Sequence, residues 1–372
     1  MKGGGIVLQR QHKTKGEVTM KRMAAFVLAV MLILFAAWSV THAAEPIKLK
    51  YSQYFATTHR NAVLSGQFCE EIKKRTNGRV EITHYPGGTL TTAPKMFQGV
   101  VTGISDLGWA PITYNQGRFP VTESTDLPLG RSDGWVATQV ADDFYRKFTP
   151  KEWDSVHVLF LSATGPNIIF TTKTPVRTLE DLKGVKLRGT GKVADTLKAL
   201  GAAPVPLDMV DVYEAMRRGV IEGVMGPLEM LKGWKVGELA KYVTASWQVG
   251  STYTFYAVMN KEKWNSLPAD IKKIFDEVSM EFKAKHAMAW NEIDYEGLEF
   301  FKQHGGQVIQ LSDAEAKRWE KAVEPVIADY KKDVLSKGFK SDEIDGWLSY
   351  IRARIGFWEK KAKEEGVKSP YQ

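Results

Sequence analysis

The chain has one cysteine, Cys69, among its 372 residues. No intrachain disulfide can form, so the fold must stand on its apolar core. It has no H-E-x-x-H, and His59, His84, His157, His286 and His304 fall at no ligand spacing. A zinc-protease reading therefore drops out, and no metal or cofactor is expected. There is no low-complexity tract. No uninterrupted apolar run reaches the roughly 20 residues that a membrane span needs. The formal charge of +8 and pI near 9.2 would suggest nucleic acid, but the first 43 residues carry six of the basic residues and one of the acids. The remainder holds 45 basic against 42 acidic residues, net +3, with no basic stripe and no nucleic-acid partner expected.

What is present at the N-terminus is an export pattern. Lys21 and Arg22 precede an uncharged apolar run, Ala24 to Trp38, followed by Ser39-Val-Thr41-His-Ala43-Ala44. A basic flank, a short apolar stretch and small residues at the exit predict a secretory signal peptide cleaved after Ala43, and so a periplasmic location. Residues 1–19 fit neither signal nor structure, which makes Met20 the expected start. Cys69 falls on a helix and is expected to pack as a small hydrophobe.

Past the signal, periodicity predicts a strand at 47–51, a helix from Arg60 to Thr76, a turn at Asn77-Gly78 and a strand at 79–85. A helix at 93–102 and a strand at 104–109 follow. This β-α-β-α-β order recurs between Leu179 and Pro227, with strands at 185–188 and 220–224 and Asp208 offered as an N-cap for a helix at 210–218. Two such units predict an α/β protein of two lobes. A helix from Pro268 to His304, about 54 Å at 1.5 Å per residue, is long enough to brace both, with Gly297 permitting a bend. Ser312-Asp-Ala-Glu315 is a capping-box pattern, and 341–365 reads as a helical hairpin. The expected division is 1–43 extension and signal, 44–162 first lobe completed by 255–305, 163–254 second lobe, and 306–372 C-terminal helices packing on the lobes.

Within the second unit Arg188 ends a strand and precedes Gly189-Thr-Gly191. The carboxyl ends of strands are where open α/β sheets bind ligands. A guanidinium there suits a carboxylate, because its planar fork gives two parallel charge-assisted hydrogen bonds.

The runs Leu179-Glu-Asp-Leu-Lys-Gly-Val-Lys-Leu-Arg188, Ala199-Leu-Gly-Ala-Ala-Pro204, Val212-Tyr-Glu-Ala-Met216 and Gly219-Val-Ile-Glu-Gly223 resemble the DctP-type solute-binding subunits of TRAP (tripartite ATP-independent periplasmic) transporters. Arg75-Thr-Asn-Gly-Arg79, Tyr85-Pro-Gly-Gly88, Gly117-Arg-Phe-Pro120 and Leu127-Pro128 agree, and the similarity spans 46–330. The resemblance implies a bilobed periplasmic solute-binding protein, not an enzyme. It would capture an organic acid between its lobes and deliver it to the small and large subunits of an ion-driven membrane permease. The family's carboxylate-pairing arginine falls on Arg188. A homodimer through the C-terminal helices is compatible with the same reading.

Two departures bear on the ligand. Where many relatives read Gln-Glu-Asn-Pro, this chain has Val224-Met-Gly226-Pro227, so a polar contact is missing at Gly226. A second arginine of sugar-acid binders corresponds to Ile168. Apolar and aromatic residues (Trp109, Trp234, Trp247, Tyr253) are offered in their place, which points to a monocarboxylate with an apolar or aromatic body. Asn167, His59 and Tyr54 are the remaining candidate contacts. The competing readings are an ABC-type or sensor-coupled binding protein for another small solute, and an exported enzyme. For the enzyme, Gly189-x-Gly191-x-x-Ala194 with Asp208 superficially satisfies a dinucleotide fingerprint.

Overall fold

The computed structural model describes residues 20, 22–31 and 45–371. The signal exit at Ala43 and the 1–19 extension lie outside these residues. Residues 22–31 are helical, with Phe26 and Leu28 exposed, and no helix among the described residues is long and apolar enough to cross a membrane.

From Lys48 onward the chain is one compact unit built on two sheets. The first has strand order β2-β1-β3-β10-β4, with β1 (Ile47–Gln53), β2 (Val80–Tyr85), β3 (Leu107–Pro111), β4 (Val156–Ala163) and β10 (Thr254–Asn260). The second runs β11-β9-β5-β8-β6-β7, with β5 (Ile168–Thr171), β6 (Lys186–Arg188), β7 (Ala203–Val205), β8 (Gly223–Gly226), β9 (Tyr242–Ala245) and β11 (Gln307–Gln310). These two sheets with their helices make the bilobed α/β fold. The strand pattern repeats: β1 and β3 are parallel, as are β6 with β7 and β6 with β8. The chain crosses between sheets on β4–β5 and returns on β10, which pairs antiparallel with β3 (Tyr256 opposite Ala110) and with β4. All seven residues of β10 are buried, as expected for a central strand covered on both faces.

Helices α1 (Arg60–Arg75), α2 (Ala93–Val101) and α3 (Gly134–Phe148) cover the first sheet; α4 (Lys192–Ala199), α5 (Met209–Arg217) and the single turn α6 (Met230–Gly233) belong to the second. After α7 (Lys261–Ser266) comes the long helix α8 (Ala269–Gln303). It packs on α1, α3 and β4 at one end and on α6 at the other, and so touches both lobes. Of the last two helices, α9 (Asp313–Ser336) lies on α4 and α10 (Ser341–Glu365) on α3.

Several expectations change. Residues 341–365 form one helix, not a hairpin, and the segment after 306 first contributes β11, paired parallel with β9. Strands β3 and β8 begin three residues later than periodicity suggested, because Ile104 and Val220 sit in the turns that close the preceding helices and are more than half exposed. Gly297 serves close approach: a Cβ there would fall inside contact distance of the Leu228 carbonyl oxygen. At α9 only half of the capping box forms. Ser312 Oγ accepts the Glu315 N–H at 3.2 Å, while Glu315 turns its carboxylate to the Leu179 N–H and the Trp319 indole. Cys69 is buried, donates to the Ser65 carbonyl, and burial pushes its thiol up to about 12.

Candidate functional site

The carboxyl ends of β1, β3, β6 and β8 converge on one cavity between the sheets. β1 runs into Tyr54 and Phe55, β3 into Thr113 and Tyr114, β6 ends in Arg188, and β8 leads to Pro227, Glu229 and Met230; Tyr253, just before β10, and Phe255 on it complete the wall. Six of the fourteen lining residues are aromatic. The space they leave is about 20 Å³, close to what one water molecule occupies.

Arg188 is 2 % exposed and makes three hydrogen bonds, all to neutral oxygens. Nε donates to the Leu207 carbonyl at 3.1 Å, one terminal nitrogen to Tyr253 Oη at 3.2 Å, and the other to Tyr114 Oη at 3.3 Å. Among the described residues no carboxylate pairs with it. The acids that could have held it as a surface ion pair are engaged elsewhere: Glu180 with Arg318, and Asp181 with the backbone N–H groups of Arg177 and Thr178. Burial pushes the Tyr54 and Tyr253 phenols above their ordinary range, so they stay neutral and cannot balance the guanidinium. A buried, permanently charged group held only by neutral acceptors is what an anion would complete.

Of the residues singled out from sequence, Arg188, Tyr54, Trp234 and Tyr253 line this cavity. Trp234 follows α6 and packs its ring against Tyr54 at 5.6 Å between centroids. The other five lie elsewhere. Trp109 is fully buried on β3, one layer behind Phe55 and Phe255, among His286 and Trp290. Asn167 spends its amide on the Ser251 carbonyl, tying the two crossing segments. His59 caps α1 by accepting the Asn61 N–H and pairs with Glu229 at 3.1 Å. Gly226 is shielded from the cavity by Met230, whose sulfur a Cβ at 226 would overlap. Trp247 lines a separate cavity with Ile168 and Tyr371.

Tyr114 was missed. Its hydroxyl lies within hydrogen-bonding distance of Arg188, the Met209 N–H (3.1 Å) and Tyr54 Oη (3.3 Å). It therefore does the work expected of Asp208, which occupies the N-cap position of α5 but makes no side-chain capping bond. The end-of-strand rule applied to β3 as it was to β6 would have pointed to Thr113 and Tyr114. Thr113 Oγ1 is buried with no hydrogen-bond partner. The glycines of the dinucleotide-like run serve packing: a Cβ at Gly189 would stand 2.8 Å from Leu197 Cδ1, and one at Gly191 would overlap Thr113 Oγ1 from the first lobe.

The comparisons with known proteins agree with this architecture. Residues 56–333 match the DctP family, described as bacterial extracellular solute-binding protein, family 7. The C4-dicarboxylate-binding periplasmic protein DctP of Rhodobacter capsulatus is 28% identical over 316 residues, covering 83% of this chain and 93% of that protein. A TRAP periplasmic solute-binding protein from Desulfovibrio salexigens is 31% identical over 87% of this chain and 98% of its own, with a TM-score of 0.74. One from Rhodoferax ferrireducens, in complex with copurified benzoate, is 26% identical over 85% and 99%, with a TM-score of 0.79. With the family matched across most of its length and two α/β lobes closing on a buried arginine, the chain belongs to the DctP family of TRAP-transporter solute-binding proteins, and it is a binding protein rather than an enzyme.

Proposed function

We propose that the protein captures a monocarboxylate with an apolar or aromatic body between its lobes and hands it to the ion-driven permease subunits of a TRAP system, after export with cleavage near Ala43. The observation that carries this reading is Arg188: a fully buried guanidinium with only neutral hydrogen-bond partners, in a cavity walled by six aromatic rings. The carboxylate would neutralise the guanidinium, and the rings would bury the rest of the molecule. Among the lining residues Arg188 is the one cation, which favours a ligand like the benzoate of the Rhodoferax protein over the dicarboxylate of the Rhodobacter one. An apolar cavity that holds benzene measures about 150 Å³, so a cavity of about 20 Å³ must open to load. Hinge motion of the lobes supplies the opening, and closure desolvates the ion pair.

The test is a thermal-shift screen of residues 44–372 with aromatic acids, 2-oxo acids, dicarboxylates and sugar acids, each beside its amide or alcohol. A ligand at a hundred times its Kd adds about 2.7 kcal/mol of stability. Aromatic monocarboxylates are expected to shift the melting temperature, their amides not, and Arg188→Ala is expected to abolish the shift. A dicarboxylate or sugar acid that stabilises more strongly than every aromatic acid would overturn the ligand class; micromolar binding retained in Arg188→Ala would overturn the arginine's role.

A further inference from the structure

The hydrogen bonds around Tyr114 fix the direction of every proton in the group. Arg188 carries donors only, and a backbone N–H can only donate. Tyr114 Oη receives both, from the guanidinium at 3.3 Å and from Met209 N at 3.1 Å. Both of its acceptor positions are then filled, so its own proton must leave toward its remaining neighbour, Tyr54 Oη at 3.3 Å. Tyr54 thereby acts as acceptor in that bond, and its own proton is left over. Among the described residues Tyr54 Oη has no second hydrogen-bond partner, and Tyr54 lines the cavity beside Arg188. The ring is held from four sides by Phe55, Tyr114, Trp234 and Phe255, so the hydroxyl is positioned rather than free to swing.

We infer that the Tyr54 hydroxyl is the second donor of the acid site, giving its proton to one oxygen of a bound carboxylate whose charge is met by Arg188. This rests on the carboxylate reading above and adds to it. The guanidinium comes from the end of β6 in the second sheet and the phenol from the end of β1 in the first, so the acid group itself bridges the lobes. Tyr114 is the positioning residue. Reaching across from β3, it orients the Tyr54 hydroxyl only when Arg188 and the N-terminus of α5 are within reach, which is the closed arrangement. The donor is thus assembled by closure. A neutral amide can offer Tyr54 an acceptor oxygen but brings no charge to Arg188, so it gains from one of the two groups only.

The experiment is calorimetric titration of benzoate, 3-hydroxybenzoate and mandelate, each with its primary amide, into wild type, Tyr54→Phe, Tyr114→Phe and Arg188→Ala. Phenylalanine keeps the stacked ring and removes only the hydroxyl. For the acid that binds wild type best, Tyr54→Phe is expected to weaken binding by roughly tenfold or more, as for loss of a hydrogen bond to a charged group. Tyr114→Phe is expected to weaken it as well, and small-angle scattering of the ligand-free protein should show a larger radius of gyration. Tyr54→Phe binding the acid within twofold of wild type, while Arg188→Ala binds none, overturns this inference and leaves the carboxylate reading standing. Equal losses for acid and amide overturn it too, since the hydroxyl would then serve only as wall. If none of the acids binds wild type, both readings fall. Should Tyr54→Phe not fold, 3-fluorotyrosine at position 54 gives an independent readout. Its ¹⁹F resonance should move on adding acid and respond less to the amide; no movement with either overturns the inference.

Discussion

Ile168 on β5 stands directly opposite Gly226 on β8 in the antiparallel ladder. The two positions where the resemblance implies polar groups are therefore one place in space, and Met230 lies against Gly226 there. Gly226→Ala forces the thioether off its seat, at an expected cost of about 1–2 kcal/mol in urea unfolding. Met230→Ala in the same chain should recover most of that overlap cost relative to Met230→Ala alone. The pair Gly226→Asn with Met230→Ala should raise affinity for hydroxylated acids at the expense of benzoate. Additive costs in the double variant would show that the two positions are independent.

Arg188 is kept at a cost to the fold, because a buried charge without a counter-ion is unfavourable. Arg188→Met is expected to lose all acid binding yet stay within about 1 kcal/mol of wild-type stability, or exceed it. A loss of 3 kcal/mol or more in denaturant unfolding would make the arginine a structural group.

His59 joins sequence positions 170 residues apart. Its Nδ1 accepts the Asn61 N–H, so a neutral ring carries its proton on Nε2 and donates to Glu229 at 3.1 Å. The ring also stacks on Phe55 at 3.8 Å. His59→Ala removes a helix cap worth about 1 kcal/mol and leaves a buried carboxylate without its partner, a further 1–3 kcal/mol. Glu229→Gln keeps an acceptor for Nε2 and should cost less than half as much by the same measurement.

Asp126 supplies a pH dependence. Burial pushes its carboxyl up to about 7, against the hydrogen bond from the Thr254 N–H and the nearby Arg131. A raised folded value means that the native state binds the proton more tightly than the unfolded chain. That contribution is complete below the unfolded value of about 4 and is lost as pH rises through about 7. Asp126→Asn should therefore gain stability relative to wild type as pH rises from 4 to 8, by on the order of 2–4 kcal/mol. A constant difference across that range would refute the assignment.

The elements that periodicity located best are those whose burial is local. Helix α1 is amphipathic and ends at Asn77-Gly78, both with positive φ, and α8 was placed within one residue at each end. Arg188 was legible because a strand end followed by two glycines is a local pattern with a general chemical meaning. Trp109 was not: a tryptophan at a strand end has the same local appearance whether it faces a ligand or, as here, lies one layer behind Phe55. Asp208 had the right residue type for a cap, yet the N–H beside it went to Tyr114, ninety-five residues away.

The sequence by itself determined the family, the order of strands and helices, and the arginine at the end of β6, because motif runs, periodicity and strand-end position are properties of short stretches. Tertiary structure alone decided that Tyr54, Tyr114 and Tyr253 surround that arginine, that Met230 fills the space beside Gly226, and that His59 reaches Glu229. Each of these joins segments brought together by folding. A hydrogen bond of about 3 Å between groups that far apart in the chain leaves no periodic trace in either one.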